Sequence, residues 1–291
     1  MATLKELKGK INSVKNTQKT TRAMKLVSTA KLKRAEEALL RSREYAKKID
    51  EVLSEISAKL ASVKDSIELR AFANIQDVKK VDIILITADK GLCGGFNMQS
   101  IKKAKSLIEE FKEKDIKVRL KVIGKKAIEY FRFAGFEMKE EVIGLSTAPD
   151  YLKAKEIIDK SYQDFVNEDI DNIIIIHNGY VNKLVQEVRV DNLLPIEVKE
   201  NSKDFLEVEP DNDYEVVLET LVKKYIEYSL YYALLDSLAG EHSARMQAMD
   251  AATNNAKEMA RLLTLEYNKA RQAAVTTELV EIVTAVEAMK N

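Results

Sequence analysis

Helix breakers are almost missing from the two ends of this chain. No Gly falls between Lys10 and Lys90, no Pro precedes Pro149, and after Pro210 only Gly240 interrupts the run to Asn291. Ala, Leu, Lys, Glu and Met dominate both ends, so propensity alone favours helix there. Cysteine is scarce as well: Cys93 by itself excludes an internal disulfide and fits a reducing compartment. Long apolar runs are absent. Ile173–Ile176 is four residues, far too short to cross a bilayer, and no apolar stretch follows the basic start as it would in a signal peptide. That start shares only its charge with a mitochondrial presequence, lacking the Arg and Ser bias. An excess of either charge is missing too: Lys+Arg and Asp+Glu both total 47, so net charge points to no partner.

Charge is nevertheless unevenly laid out. Ten basic residues and one acid, Glu6, lie between Lys5 and Arg34, whereas Asp211–Leu238 carries six acids against Lys223 and Lys224. Such a dipolar layout suggests a surface that meets a partner of opposite sign.

The first segment places apolar residues at Leu4, Leu7, Ile11 and Val14, resuming at Met24, Val27, Ala35 and Ala38, then Tyr45, Ile49 and Val52, with a polar stretch at Thr17–Thr21. The last reads Met246, Met249, Thr253, Ala256, Ala260, Leu263, Tyr267, Ala270 and Ala274, then steps one place to Val275, Leu279, Ile282, Val286 and Met289. Both patterns are heptad-like, and the small residues let two helices approach closely. Helices over 3–60 and 212–289 would reach about 85 Å and about 115 Å, longer than an ordinary domain is wide. Paired side by side, a helix entering the middle and one leaving it run antiparallel. The longer one then overhangs by roughly 30 Å. An isolated apolar tip is poorly stable in water, so Val275–Asn291 is expected to sit inside something else.

The middle alternates strands with helices. Val81–Thr87 reads as a buried strand ending in a Gly-rich turn, and Ile101, Ala104, Ile108 and Phe111 mark one face of the helix that follows. Val118–Ile123 is a strand, Lys125–Phe133 and Tyr151–Val166 are helices, and Asn172–His177, Val181–Val190 and Ile196–Val198 complete the strands. The fold class expected is α/β: a long antiparallel coiled coil of the N- and C-terminal helices plus a central Rossmann-like α/β domain, with a largely parallel sheet and an antiparallel edge. The segments are 1–70, 71–210 and 211–291.

Chemistry-bearing motifs are weak. Gly91-x-x-Gly94-Gly95 matches neither G-x-G-x-x-G nor G-x4-G-K-[ST], so a tight strand-to-helix turn accounts for it better than a nucleotide site. His177 and His242 have no metal-ligand spacing around them, and His177 reads as a core histidine closing a strand. Cys93 has Lys90 nearby, which would lower its pKa, yet no His or Asp partner makes it a nucleophile. Tyr225, Tyr228 and Tyr232 fall at helical spacing and read as a clamp between the last helix and the α/β domain. No catalytic, cofactor or metal site is expected. The basic first helix has few aromatics and a seam along one face, so nucleic acid is not its expected partner. A coiled-coil scaffold or a basic nucleic-acid adaptor is the second class the residues leave open.

The stretch Ile11–Ala35, the turn Asp89-Lys-Gly-Leu-Cys-Gly-Gly-Phe-Asn97, and the stretches Glu241–Asn255 and Tyr267–Val283 resemble, in order, the signatures of the gamma subunit of rotary F-type ATP synthases. The resemblance implies a central rotor shaft without catalysis of its own. Its coiled coil would turn inside a hexamer of alternating alpha and beta subunits, with epsilon and the membrane c ring at the α/β domain. By position, Met24 and Lys25 would face the beta-subunit lever, Arg245, Gln272, Thr276 and Glu278 would contact the sleeve, and Glu209 would rest on the c-ring and epsilon side. The implied setting is peripheral, on the cytoplasmic face of a bacterial inner membrane, with no direct insertion. Two departures stand out. Ala285-Val286 replaces a usual Gly-Ala, and Thr20 replaces a branched apolar residue, which is expected to loosen the coiled coil there.

Overall fold

The computed structural model of the protein describes residues 3–62, 70–73, 75, 77–196 and 214–289. Two compact units result: residues 1–28 with 246–291, and residues 29–245. Two helices run through both, α1 (Leu4–Ser62) and α5 (Tyr214–Ala288). The element order between them is a short 3-10 helix (Arg70–Phe72), β1 (Lys80–Ile86), α2 (Phe96–Glu113), β2 (Lys117–Ile123), α3 (Lys125–Phe133), β3 (Met138–Val142), α4 (Tyr151–Val166), β4 (Asn172–Tyr180) and β5 (Gln186–Leu194).

Residues 29–245 are built on one five-stranded sheet in the order β3-β2-β1-β4-β5. The first four strands are parallel and β5 is an antiparallel edge on β4, as the strand–helix alternation implied. The two faces of the sheet follow the period-two alternation of side chains. Ile83, Leu85, Leu120, Val122, Ile174 and Ile176 pack with α2 and α3 through Ile101, Ala104, Ile108 and Phe131. Ile84, Ile86, Ile123, Ile173 and Ile175 pack with α4 and α5 through Ile158, Phe165, Val222, Ile226 and Leu230. Burial on both faces is why β1 and β4 read as continuous apolar runs.

Polar residues position the helices on this core. Asp150 caps α4 by accepting from Lys153 N at 2.9 Å. Beneath α4, buried Lys121 donates to Ser161 Oγ at 2.7 Å, and Ser161 in turn donates to buried Asp82 at 2.8 Å. Asp82 also accepts from Arg119, so the buried charges are partnered. Glu227 of α5 takes Tyr151 Oη at 2.5 Å and Lys155 of α4.

Several readings need correction. The strand expected over Val181–Val190 is β5, Gln186–Leu194, because Asn182 accepts from Leu184 N and Val185 N and closes a turn there. β3 was missed because Met-Lys-Glu-Glu-Val carries little apolar signal; it is an edge strand with alternate residues half-exposed. β4 runs three residues past His177, which stands inside the strand because Asn178 and Gly179 stay buried under α2 and α5. Ile196 lies outside any strand, and residues 197 and 198 fall outside the described ones. The tyrosine clamp is partly different. Tyr228 meets α1, with its ring 4.4 Å from Tyr45 and its hydroxyl donating to Ser42 O at 3.2 Å, while Tyr231 is the residue facing Tyr151 of α4.

Gly240 fixes where α5 meets the sheet. A Cβ there would lie 2.8 Å from Asn178 O and 3.1 Å from a Phe96 ring carbon. Ala would raise helix propensity by about 1 kcal/mol, but overpacking against a strand carbonyl costs about 1–3 kcal/mol. Gly240→Ala is therefore expected to lower the urea midpoint of residues 29–245; a raised midpoint would show that α5 can shift off the sheet freely.

Candidate functional site

In the unit formed by residues 1–28 and 246–291, α1 opens with a reciprocal cap. Glu6 N donates to Thr3 Oγ1 at 3.3 Å and Thr3 N donates to Glu6 Oε2 at 3.0 Å. Leu7, Ile11, Thr21 and Ser28 are its buried positions, while Lys5, Lys8, Lys10, Lys15, Lys19 and Arg22 stand exposed. On α5, Met249, Thr253, Ala256, Ala260, Leu263, Tyr267, Ala270 and Ala274 are the more covered residues, at the four-three spacing read from the sequence. Two cross-contacts set the register. The Thr21 and Thr253 hydroxyls lie 2.7 Å apart, and Lys25 Nζ lies 2.6 Å from Asp250 Oδ1. Four residues forward on α1 match three back on α5, so the helices are antiparallel. Both members of the ion pair are more than a third exposed, which holds its worth to roughly 1 kcal/mol or less. Its use is alignment.

The same register brings Thr3 opposite about residue 271. Beyond Ala274 every described residue of α5 is exposed, including Val275, Leu279, Val280, Ile282, Val283 and Val286 at 48–61%. Three acids and no base stand between Val275 and Met289. An uncovered apolar surface of this extent marks a contact site.

A second constellation lies within residues 29–245, at the carboxyl ends of β1 and β4. The Gly-rich turn needs Gly94 at φ 59°, a left-handed conformation that costs glycine nothing. Asn97 pins the turn by accepting from Ala88 N at 2.9 Å. Arg245 reaches into it from α5, donating to Gly91 O at 3.1 Å and Lys90 O at 3.2 Å, and pairs with Glu241 at 2.6 Å. Burial pushes the Glu241 carboxyl upward, which Arg245 opposes. Burial, with the Arg245, Lys31 and Lys90 charges, drives His242 down to about 4. Burial likewise raises the Cys93 thiol. The direction is opposite to the one expected from Lys90, because loss of water outweighs the lowering by the Arg245 charge.

The expected contact residues therefore separate. Met24 is half-buried beside the seam, and Gln272, Thr276 and Glu278 are exposed on the uncovered part of α5. Lys25 is already engaged by Asp250. Arg245 does not face outward: it is 8% exposed and its guanidinium is consumed by the turn. Its i,i+4 partner Glu241 was a readable hint; the carbonyls of residues 90 and 91 were not. Glu209 lies outside the described residues. Thr20 is exposed, so the replacement there leaves the seam untouched, and the adjacent Thr21 carries the contact.

A family model described as ATP synthase matches residues 3–289. The ATP synthase gamma chain of Nautilia profundicola is 80% identical over 291 residues, with all of both chains covered. That of Campylobacter curvus is 56% identical over 297 residues, again with both chains covered in full. Among solved structures, a chain of the Euglena gracilis mitochondrial ATP synthase in its OSCP/F1/c-ring assembly aligns with a TM-score of 0.66 at 17% identity, covering 98% of this chain and 94% of that one. A chain of the Tetrahymena thermophila mitochondrial ATP synthase central stalk/c-ring structure gives 0.59 at 23% identity, covering 80% and 99%. At such identities these two establish the fold.

Two outcomes follow from the geometry. Cysteines at Thr21 and Thr253 should crosslink under mild oxidation while an Arg22/Thr253 pair does not; equal yields would mean the seam register is wrong. His242, neutral when folded, takes up a proton only on unfolding between its ordinary 6.5 and about 4. The unfolded chain then binds more protons, so stability falls as pH drops through that window, by up to about 3 kcal/mol. His242→Gln should flatten this slope in urea titrations between pH 7 and 4; an unchanged slope would show that other groups cause it.

Proposed function

The chain belongs to the ATP synthase gamma chain family, and on that footing we propose that it is the central rotor stalk of a bacterial F-type ATP synthase. The helices α1 and α5 turn inside the alternating alpha and beta subunits. Epsilon and the c ring engage residues 71–210 and the returning segment, with Glu209 on that side. Segments 1–70, 71–210 and 211–291 are the working parts, and the chain itself carries out no hydrolysis. Among the described residues no helix is long and apolar enough to cross a membrane, which suits a peripheral subunit on the cytoplasmic face of the inner membrane.

The observation that carries this reading is the uncovered end of α5. A helix apolar on much of its circumference and, among the described residues, covered by nothing beyond Ala274 needs a surrounding wall. A shaft also has to resist sliding between its two strands. Thr21–Thr253 and Lys25–Asp250 supply that register, so a push on one helix passes to the other. Gln272, Thr276 and Glu278 on the exposed end, and Met24 with Lys25 beside the seam, are the proposed contacts with the sleeve. Lys25 is already neutralised by Asp250, so the surface near Met24 offers the beta subunit mainly a flexible thioether.

A rotor must avoid strong attachment at any one angle. Removing one partner of a buried ion pair costs about 3–5 kcal/mol, so such pairs make poor bearings. Met24→Lys is expected to lower ATP-driven ion pumping relative to hydrolysis in membrane vesicles, with assembly less affected, and Met24→Leu to be nearly silent. Equal pumping-to-hydrolysis ratios for Met24→Lys and the parent would remove Met24 from the bearing. Copurification with alpha and beta at 3:3:1 supports the stalk; nucleic acid in their place supports the adaptor reading.

A further inference from the structure

Within residues 29–245, α1, β4, β5 and α5 line a half-open cavity of about 650 Å³ that the rotor reading leaves unused. Arg43, Arg189, His177, Asp191 and Tyr232 are its polar lining residues of interest. Behind the lining residues His177 and Arg189, the carboxylate of buried Asp236 is held by Tyr180 N at 3.0 Å and Arg189 Nη1 at 2.7 Å. His177 Nε2 lies 3.0 Å from the same carboxylate, so this nitrogen carries a proton and donates. The other ring nitrogen, Nδ1, is buried without a hydrogen-bond partner among the described residues and faces Asp191 Oδ2 at 3.4 Å. Wherever Nδ1 carries no proton, it and the half-exposed Asp191 carboxylate are two acceptors turned towards one place, which a bound donor would satisfy. At the rim, the exposed Arg43 guanidinium has no ion-pair partner among the described residues.

We propose that this cavity binds an oxyanion that brings its own proton, namely inorganic hydrogen phosphate. Anionic oxygens would meet Arg43, and the P–OH would donate into the gap between His177 Nδ1 and Asp191. Arg189 adds positive potential while staying paired to Asp236. The chemistry sets a selectivity. Sulfate has the same shape and charge but no proton at neutral pH, so Asp191 repels it. Asp191 is thus the selecting group and Arg43 the charge that attracts either anion. The cavity exceeds a bare phosphate, and ordered water fills the remainder beside Tyr232.

Calorimetric titration of the full-length chain at neutral pH with inorganic phosphate, and separately with sulfate, tests this. Phosphate should bind at least roughly tenfold more tightly than sulfate, because Asp191, about half exposed, accepts from the P–OH and repels an anion that lacks it. Arg43→Gln should weaken phosphate roughly tenfold. Asp191→Asn, which can turn its amide towards an unprotonated oxygen, should erase the preference and admit sulfate. Circular dichroism melting of each variant separates loss of binding from loss of fold. Equal affinity for the two anions in the parent chain, unchanged phosphate affinity in Arg43→Gln, a preference that survives in Asp191→Asn, or no saturation by about 20 mM phosphate would each overturn the proposal.

Discussion

A glycine without a side chain lets a helix lie on the carbonyl of a strand, and much of the chain depends on that contact. At Gly240, α5 comes down onto Asn178 and Phe96 at the point where the sheet order reverses between β1 and β4. Open α/β sheets place ligands in the crevice at that point. Here the chain's own helix fills it. One turn later Arg245 takes the carbonyls of residues 90 and 91, and Glu241 balances its charge. The neighbours Cys93 and His242 lose water as a result, which explains why both titrate against their charged forms. A fold suited to holding a cofactor has become a mount for a helix.

Elements with strong local signals were legible from the sequence. The bounds of α3 and α4 follow from amphipathic spacing and from Pro149-Asp150 before α4, and the covered side of α5 follows from its four-three spacing. The buried stripe of α1 was less clear, since it runs through Thr21, Ser28, Leu32, Ala35, Leu39 and Ser42, whereas Val27 is 56% exposed. An apolar template passes over Ser28 and Ser42 because they are covered for their small size. The phase was therefore off by one residue at Val27.

Tertiary polar contacts left almost no trace in the sequence. Arg245 looked like a surface cation because its acceptors are backbone carbonyls far away in the chain. Asp236, His177 and Arg189 come from α5, β4 and β5, and no spacing rule joins them. Lys25 and Asp250 are separated by 225 residues, although a helix pairing built on Thr21 and Thr253 would have found them. Side chains whose partners are backbone or distant in sequence escape pattern reading; those that repeat along one helix do not.

The threonines of α5 carry one more consequence. Thr264, Thr276, Thr277 and Thr284 each turn the hydroxyl back to the carbonyl four residues earlier, at 2.7–3.0 Å. The polar atom is occupied within its own helix, and the methyl group is left pointing away. To a neighbouring surface such a threonine resembles a valine that has kept its solubility in water. Directional bonds must be broken one by one when surfaces move past each other, whereas methyl contacts exchange continuously and cost little at any angle. The end of this helix is therefore finished as a low-friction surface.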